Sequence, residues 1–293
     1  MPTEQPSLSD ELARFRQEGF VILERLLSRD AIDAVVAALA PYEAGRPMGR
    51  NDFEGSRSQR VYSLAAKGPA FHMLAEHPRI LALLDAVLRK GFLLSNLQSI
   101  RLHPGENRQA WHTDDAFYLV PRPHDTLGVS TIWAIEDFTA DNGATELIPT
   151  SHRWGMEHPD ERPHEVVQTI MPAGSVVIFD AALWHRGGEN TTQGTRLAVS
   201  PQYCEPWLRP QESQLLIVPP ERARACSPRM RSMLGYSIHP PFVGQVDGMH
   251  PLRLVDPEYR THKTEDRAVA DRVLERPVAS ISTSAALPPD TRR

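Results

Sequence analysis

Apolar residues recur at helical spacing in the first part of the chain. Such residues precede Gly19, after which a short apolar run, FVIL, is β-like. Ser28 is suited to cap a second helix, which Pro41 is expected to end. The stretch FHMLAEHPRILALLDAVLRKG predicts one further helix that stops at Gly91. Residues 1–91 are therefore expected to form a helical flank.

From Phe92 onward the pattern changes to short apolar or alternating runs separated by Gly- and Pro-containing turns. The runs are FLLSNLQSIRL, TLGVSTIWAIED, ATELI, EVVQTI, SVVIFD and RLAVSPQY. Such runs predict the strands of a sandwich or jelly roll. We expect a mainly β fold with flanking helices, in which residues 92–210 form a double-stranded β-helix (jelly-roll, cupin-like) core. Residues 211–262 would form a C-terminal flank of the same domain, and the polar residues 263–293 a flexible tail.

Composition narrows the classes of function. With 41% hydrophobic and 24% charged residues, the sequence is that of an ordinary globular protein. A net charge of -5 provides no basic excess for nucleic acid or an anionic membrane, and no stretch approaches the roughly 20 apolar residues of a spanning helix. The polar, acidic start does not resemble a signal peptide. We expect a cytoplasmic protein with a small-molecule partner and no nucleic-acid or membrane partner; the oligomeric state is left open.

The segment QAWHTDD, residues 109–115, places His112 two positions before Asp114. On a β-strand these side chains point to the same side, so both can reach one metal ion. A third ligand is expected from another strand, and His185 lies just after the buried run SVVIFD and before a Gly turn. Two imidazoles and one carboxylate on one face of iron(II) leave open positions for a cosubstrate and oxygen.

Arg196 lies eleven residues beyond His185, on the run RLAVSPQY. A guanidinium inside a barrel needs a partner because an unpaired buried charge is costly, and a carboxylate suits it. Other interpretations stay open at this point. A non-catalytic jelly-roll binding protein would use the His-x-Asp pair only for structural hydrogen bonds. An oxygenase or hydrolase without a keto acid would use the same ligands and leave Arg196 unexplained.

The order of His-x-Asp, a distant His and an Arg about ten residues later resembles the phytanoyl-CoA dioxygenase-like family of iron(II)/2-oxoglutarate-dependent dioxygenases. Four longer segments carry the same resemblance: ELARFRQEGFVILERLLSRDAIDAV, DNGATELIPTSHRWG, AGSVVIFDAALWHRGGENTTQGTRLAVSPQY and SIHPPFVGQVDGMHPLRL. Thr150 stands in the second where Gly is frequent in the family. The resemblance covers most of the chain and is specific for the family, but not for a substrate.

The resemblance implies the cofactors Fe(II), 2-oxoglutarate and O2, and a role for several residues. The implied metal ligands are His112, Asp114 and His185. Arg196 would bind the far carboxylate of 2-oxoglutarate. Three more side chains are expected beside the cosubstrate: Gln109, Thr145 and Gln98. Ordinary strand-edge hydrogen bonding is the alternative role for Gln109 and Thr145. Asp115 is expected to orient a ligand rather than to be one.

The reaction implied by the resemblance couples decarboxylation of 2-oxoglutarate to the oxidation of an unactivated C–H bond. Hydroxylation is the expected outcome, while desaturation or cyclisation would use the same residues. Halogenation is disfavoured because Asp114 stands where related halogenases have a small residue. The expected substrate is a free small molecule, such as a secondary metabolite or its precursor. A hydroxylase of an acyl-CoA thioester is the alternative.

Candidates for the substrate wall are the aromatic residues near the proposed ligands: Tyr62, Phe117, Tyr118 and Trp184. Core packing explains a buried aromatic residue more often than ligand contact does. The segment from Gly45 to Arg60 is expected to act as a lid over the metal, with a solvated loop as the alternative. Its arginines are candidate partners for an anionic substrate or a CoA phosphate: Arg46, Arg50, Arg57 and Arg60.

Overall fold

The computed structural model describes residues 6–259, so the tail predicted at residues 263–293 lies outside the described residues. In this part of the chain the α-helices are α1 (Leu8–Glu18), α2 (Arg29–Glu43), α3 (Pro69–Ala75), α4 (Pro78–Val87), α5 (Gln214–Ile217), α6 (Pro220–Ala223) and α7 (Pro228–Met233). The strands are β1 (Phe20–Leu23), β2 (Ser58–Val61), β3 (Leu93–Leu102), β4 (Gly128–Ala134), β5 (Glu146–Leu147), β6 (Val167–Gln168), β7 (Val176–Asp180), β8 (His185–Arg186) and β9 (Arg196–Cys204).

Two antiparallel sheets form the centre of the molecule. The larger has the strand order β1-β7-β4-β9-β3-β2, and the smaller has the order β6-β5-β8. Each apolar run that the sequence predicted as a strand contributes one strand to these sheets. The mainly β fold with flanking helices and a jelly-roll core is therefore confirmed.

Strand β7 shows how the core is divided between the two faces of the larger sheet. Val176 and Ile178 pack into the cluster formed with helices α1 to α4, whereas Val177 and Phe179 pack into a second cluster shared with the smaller sheet. Both faces are buried, which explains why the strand is apolar from Val176 to Phe179 rather than alternating.

Strand β9 carries the polar residues that face the interior of the barrel. Alternate residues of a strand share one face. Arg196, Ser200 and Gln202 line the internal cavity, and Gln98 and Ile100 of the neighbouring β3 line the same wall. Polar side chains therefore line this wall along most of β9, and they face the candidate site.

Two predictions for the helical flank were wrong. Pro41 lies inside the last turn of α2 instead of ending it, and the Ala44 N–H still donates to the Ala40 carbonyl. A proline so close to the helix end removes only one hydrogen bond. The single helix predicted before Gly91 is two helices, α3 and α4, because Pro78 disfavours helical geometry at the preceding residue. Among residues 6–259, no helix combines the length and hydrophobicity needed to traverse a bilayer.

Candidate active site

The three side chains proposed as metal ligands lie together on the wall of the internal cavity. Their ligand atoms are all within 4.8 Å of one another. The Nε2 atom of His185 is 3.6 Å from Oδ2 of Asp114, and the ring centroids of His112 and His185 are 4.2 Å apart. One divalent ion can therefore contact all three groups.

Backbone hydrogen bonds hold the segments that carry these ligands. His112 and His185 exchange N–H···O bonds of 3.0 Å in both directions, and the Asp114 N–H donates to the Ala181 carbonyl at 2.8 Å. His112 forms only an isolated bridge, and Asp114 lies in a turn. The expectation that both lie on one strand was wrong. Their side chains converge because the backbone of His112 is hydrogen-bonded to His185 and that of Asp114 to Ala181, both within the short segment 181–185.

Both imidazoles are oriented by a backbone carbonyl. Nδ1 of His112 is 3.0 Å from the Ala110 carbonyl oxygen, and Nδ1 of His185 is 2.9 Å from that of Leu183. A carbonyl only accepts, so each Nδ1 carries the hydrogen and each Nε2 keeps its lone pair for a metal. Burial, together with the adjacent His185, lowers the pKa of His112 and favours the neutral ring that ligation requires.

The carboxylate of Asp114 is fixed by two donors from the larger sheet. Its Oδ2 accepts from the Ser130 hydroxyl at 2.5 Å and from Nε2 of Gln202 at 2.9 Å. Neither donor was expected from the sequence. Gln202 lies six residues beyond Arg196 on β9, so the period of the strand places the two on one face and was a usable signal.

Asp115 does not contact a ligand side chain, contrary to expectation. It forms an ion pair with Arg122, whose Nη1 donates to the Ala182 carbonyl at 2.9 Å, and its Oδ2 is 3.4 Å from Nε2 of His124. Asp115 therefore supports the turn that leads to His185, and its effect on the ligands passes through the backbone.

Asp180 supports the same turn from the end of β7. Its Oδ1 accepts from the Ala182 N–H at 2.8 Å and its Oδ2 from the Thr126 hydroxyl at 2.6 Å. Burial raises the pKa of Asp180 to about 6, and the charge of Asp115 adds to this rise.

The pH dependence of stability should report the ionisation of Asp180. The pKa of Asp180 in the folded chain lies above the ordinary value, so the folded state holds this proton more tightly than the unfolded state does. The contribution of Asp180 to the free energy of unfolding therefore decreases as the pH rises from about 4 to about 6. Asp180→Asn should remove this pH dependence, so the slope of the free energy of unfolding against pH should become less negative by up to roughly 1.4 kcal/mol per pH unit. Urea denaturation across this range, with a chelator present, measures the slope. Asp125→Asn, at an exposed position, is the control, and equal slopes for wild type and Asp180→Asn would contradict the assignment.

A cavity of about 300 Å³ opens in front of the three ligands. Arg196 faces it, and this side chain is only 3% exposed. Its Nη2 donates to the Gly143 carbonyl at 2.5 Å, its guanidinium lies 4.5 Å from the Phe138 ring centroid, and Nε has no partner. Within residues 6–259 it forms no ion pair. Burial lowers the pKa of Arg196, and the charge of Arg60 lowers it further. An anion that binds beside Arg196 would offset both effects.

Arg60 is a second cation on the wall of the same cavity. It donates to Oε1 of Gln98 at 3.2 Å and to the Glu54 carbonyl at 3.3 Å, and it too lacks an ion pair in the described part of the chain. Burial lowers its pKa. The sequence pattern does not distinguish Arg60 from the other three arginines of its segment, whereas in the structure Arg60 alone among the four lines the cavity.

The side chains expected beside the cosubstrate all line this cavity. Gln109 accepts from the Gly187 N–H at 2.8 Å and donates to the Phe53 carbonyl at 2.6 Å. Thr145 lies on the wall with 3% exposure, and Gln98 lies beside Arg60. The structure brings them together with the metal ligands, while their roles toward a cosubstrate stay predictions.

Of the four aromatic residues proposed for the substrate wall, Phe117 alone lines this cavity. Trp184 precedes the inward-facing His185, so its ring points to the opposite side and packs 5.1 Å from the ring of His158. Tyr118 donates to the Arg209 carbonyl at 3.0 Å, and Tyr62 donates to Glu54 at 3.1 Å. The expectation for these three as cavity walls was wrong.

Part of the arginine-rich segment reaches the cavity mouth. Phe53, Glu54 and Gly55 line it, and the Phe53 ring lies 4.8 Å from that of His112 in an edge-on arrangement. The segment is held by local hydrogen bonds, including Gly49 N–H to the Ser58 carbonyl at 2.8 Å. Its last residues belong to β2 rather than to a loop. Motion of the segment as a lid stays a prediction.

Comparisons with known proteins agree with this architecture. The family model described as Phytanoyl-CoA dioxygenase (PhyH) matches residues 15–198, more than half of the chain. Dioxygenase af480 of Aspergillus fumigatus is 28% identical over 240 residues, which cover 79% of this chain and 78% of the relative.

Solved structures show the same fold. The epimerase SnoN, in complex with Fe3+, alpha ketoglutarate and nogalamycin RO, matches with a TM-score of 0.59 and 22% identity over 70% of this chain and 86% of SnoN. HygX of Streptomyces hygroscopicus, with nickel and 2-oxoglutarate bound, matches with a TM-score of 0.58 and 16% identity over 69% of this chain and 88% of HygX. At these identities the likeness establishes the fold alone.

The jelly roll and the matched family model together define the class of the protein. The chain belongs to the phytanoyl-CoA dioxygenase family, as the sequence motifs indicated. It is thus an enzyme of the iron(II)/2-oxoglutarate-dependent dioxygenase type, and the interpretation as a non-catalytic binding protein is set aside.

Proposed function

We propose that the protein oxidises an unactivated C–H bond of a free small molecule, a secondary metabolite or its precursor, with Fe(II), 2-oxoglutarate and O2. Hydroxylation is the expected outcome. One observation carries the proposal: the unpaired, buried guanidinium of Arg196 faces the same cavity as the His112, Asp114 and His185 cluster. A metal site alone would not require a buried cation beside it, whereas a chelating dicarboxylate does.

The residues present fit both groups. Two neutral imidazoles and one carboxylate form the ligand set that leaves open positions on iron(II). Within residues 6–259 neither Arg196 nor Arg60 forms an ion pair, and their two guanidiniums match the two carboxylates of 2-oxoglutarate in number and charge. When bound, iron and 2-oxoglutarate would activate O2, so that one oxygen atom enters succinate as 2-oxoglutarate loses CO2 and the other is available to oxidise the C–H bond.

The chain itself binds, orients and excludes water. In the proposal, Arg196 pairs with the far carboxylate of the cosubstrate and Arg60 with the near one. Thr145 donates a hydrogen bond from the wall between them. Gln109 ties Phe53 to Gly187, which directly follows the strand of His185, so this amide maintains the cavity mouth. The apolar rings of Phe53 and Phe117 restrict water at the mouth, which protects the reactive centre.

The names of related proteins support a small molecule of the natural-product type. SnoN is described as an epimerase from nogalamycin biosynthesis, and HygX is also described with hygromycin B bound. Three of the four arginines proposed for a CoA phosphate are engaged within the chain. Arg50 pairs with Glu54, Arg46 donates to the Arg60 carbonyl, and Arg57 donates to the Pro104 carbonyl. These contacts favour a free small molecule over an acyl-CoA thioester. The cytoplasmic location stays a prediction.

The test is a screen for substrate-stimulated succinate formation, with mass detection of products. Purified protein receives Fe(II), 2-oxoglutarate and one candidate at a time from a panel of free natural products and acyl-CoA thioesters. We expect a free small molecule to raise succinate formation and to gain one oxygen atom in matching amount. Stimulation by acyl-CoA thioesters alone would overturn the substrate class. Loss of two hydrogens in the product would replace hydroxylation by desaturation or cyclisation.

A further inference from the structure

Three side-chain amides form a row that ends on the proposed metal ligand Asp114. The Nδ2 atom of Asn96 is 3.4 Å from Oε1 of Gln211, and Nε2 of Gln211 is 3.1 Å from Oε1 of Gln202. Nε2 of Gln202 then donates to Oδ2 of Asp114 at 2.9 Å. Asn96 and Gln202 are partners across β3 and β9, next to an irregularity in the register, and Gln211 follows β9 in the chain.

The carboxylate of Asp114, at the end of this row, fixes which way each amide donates its hydrogen bond. An ionised carboxylate only accepts hydrogen bonds, so Gln202 must turn its NH2 group toward Asp114. Its carbonyl oxygen then faces Gln211, which must offer its own NH2 group in turn. A reversed amide at Gln202 would place an oxygen against the carboxylate. The orientation of each amide thus follows from hydrogen-bonding chemistry, independently of how the nitrogen and oxygen atoms were assigned.

We propose that Gln211 is a positioning residue of the metal centre, because its NH2 group holds the Gln202 amide in the one orientation that supports Asp114. Gln211 contacts no proposed metal ligand directly, so its effect must pass through Gln202. This inference rests on the proposed function, since it takes Asp114 to be a metal ligand. It adds a residue from outside the barrel strands to the set that controls the metal.

The location of Gln211 supports a dedicated role over incidental packing. Its backbone N–H donates to the Ser95 hydroxyl at 3.1 Å, which fixes the start of its side chain. Gln211 and Gln202 both line the cavity in front of the metal ligands, so the row borders the space that a substrate would enter. The Ser130 hydroxyl also donates to Oδ2 of Asp114, so both donors to the carboxylate converge on the same oxygen.

The test exploits the opposite hydrogen-bonding character of glutamate. In Gln211→Glu the new carboxylate cannot donate to Gln202, and it attracts the Gln202 NH2 group away from Asp114. Cobalt(II) is titrated into metal-free protein near neutral pH, and its affinity is measured from the cobalt absorbance. We expect Gln202→Leu and Gln211→Glu each to weaken cobalt binding by about tenfold, the scale of changes at residues that orient ligands. Gln211→Leu removes the donor without reversing it and should weaken binding by about threefold or less.

The sign and the additivity of these effects separate positioning from other roles. A negative charge near a cation by itself strengthens binding, so a weaker affinity in Gln211→Glu points to the reversed amide. In the Gln202→Leu background neither Gln211 substitution should weaken binding further. Gln193→Glu makes the same charge change at an exposed position and should bind as wild type.

Two results would overturn the inference: Gln211→Glu with affinity equal to or above that of wild type, or full additivity with Gln202→Leu. If Gln211→Glu does not fold, Gln211→Leu provides the same additivity test at smaller amplitude. Failure of the wild type itself to bind one cobalt ion would instead overturn the proposed function, so the two failures are distinguishable.

Discussion

Asp114→Ala is expected to abolish 2-oxoglutarate turnover in a protein that remains folded. The carboxylate is one of three groups that converge on the metal position, and an alanine leaves only His112 and His185. Loss of a ligand should exceed the roughly 10- to 100-fold effects of residues that merely orient ligands. Succinate release and iron content, measured on the same preparation, should both fall more than about 100-fold relative to wild type.

The stability of this variant provides an internal check. The Ser130 hydroxyl and the Gln202 amide lose their acceptor, so the free energy of unfolding should drop by about 1–3 kcal/mol rather than collapse. Asp125→Ala, at an exposed carboxylate, serves as the matched control and should retain both activity and iron. Succinate release at the wild-type rate by Asp114→Ala would remove this residue from the ligand set.

Arg196→Ala is expected to raise the KM for 2-oxoglutarate far more than it weakens metal binding. The guanidinium is buried and has no acidic partner in the described part of the chain, so the cosubstrate carboxylate is its expected counter-ion. Truncating one partner of a buried charge pair costs about 2–5 kcal/mol, which corresponds to a rise in KM of roughly 30-fold or more. Cobalt affinity in the absence of 2-oxoglutarate should change by less than about threefold, below the range of residues that orient ligands.

Arg196→Lys distinguishes charge from shape. Lysine keeps the positive charge but not the paired donors, so the KM should lie between those of wild type and the alanine variant. Parallel losses of cosubstrate and metal affinity in Arg196→Ala would assign Arg196 a structural role.

The convergence of His112, Asp114 and His185 was predictable from the sequence, although the local backbone that produces it was not. His112 and Asp114 are brought together by the turn at 181–185 and not by a shared strand. The prediction of the cluster succeeded because the identity and order of the residues restrict the chemistry more than the local backbone does. The position of His185 was predictable because this residue lies between a short apolar run, which forms β7, and a Gly turn, a pattern typical of the rim of a barrel.

The residues that the sequence did not reveal depend on contacts between distant segments. Arg60 reaches the cavity because β2 pairs with β3, and no local pattern identifies which of four nearby arginines does so. Gln211 follows β9 and gives no periodic signal. In contrast, strand parity alone predicts that Trp184 points away from the side of His185, and that Gln202 shares the face of Arg196. Residues at alternate positions from the proposed ligands are therefore better candidates for the cavity wall than residues directly next to those ligands in sequence.

Backbone hydrogen bonds join the segments of His112, Asp114 and His185, so the fold itself brings these three side chains together. A set of two imidazoles and one carboxylate accepts several divalent ions, and intrinsic affinity for such ligands rises from iron(II) through cobalt and nickel to copper. Correct metallation therefore depends on which ions the surroundings supply when the chain meets them. The identity of the bound metal is a property of the environment in which the protein is made as much as of its sequence.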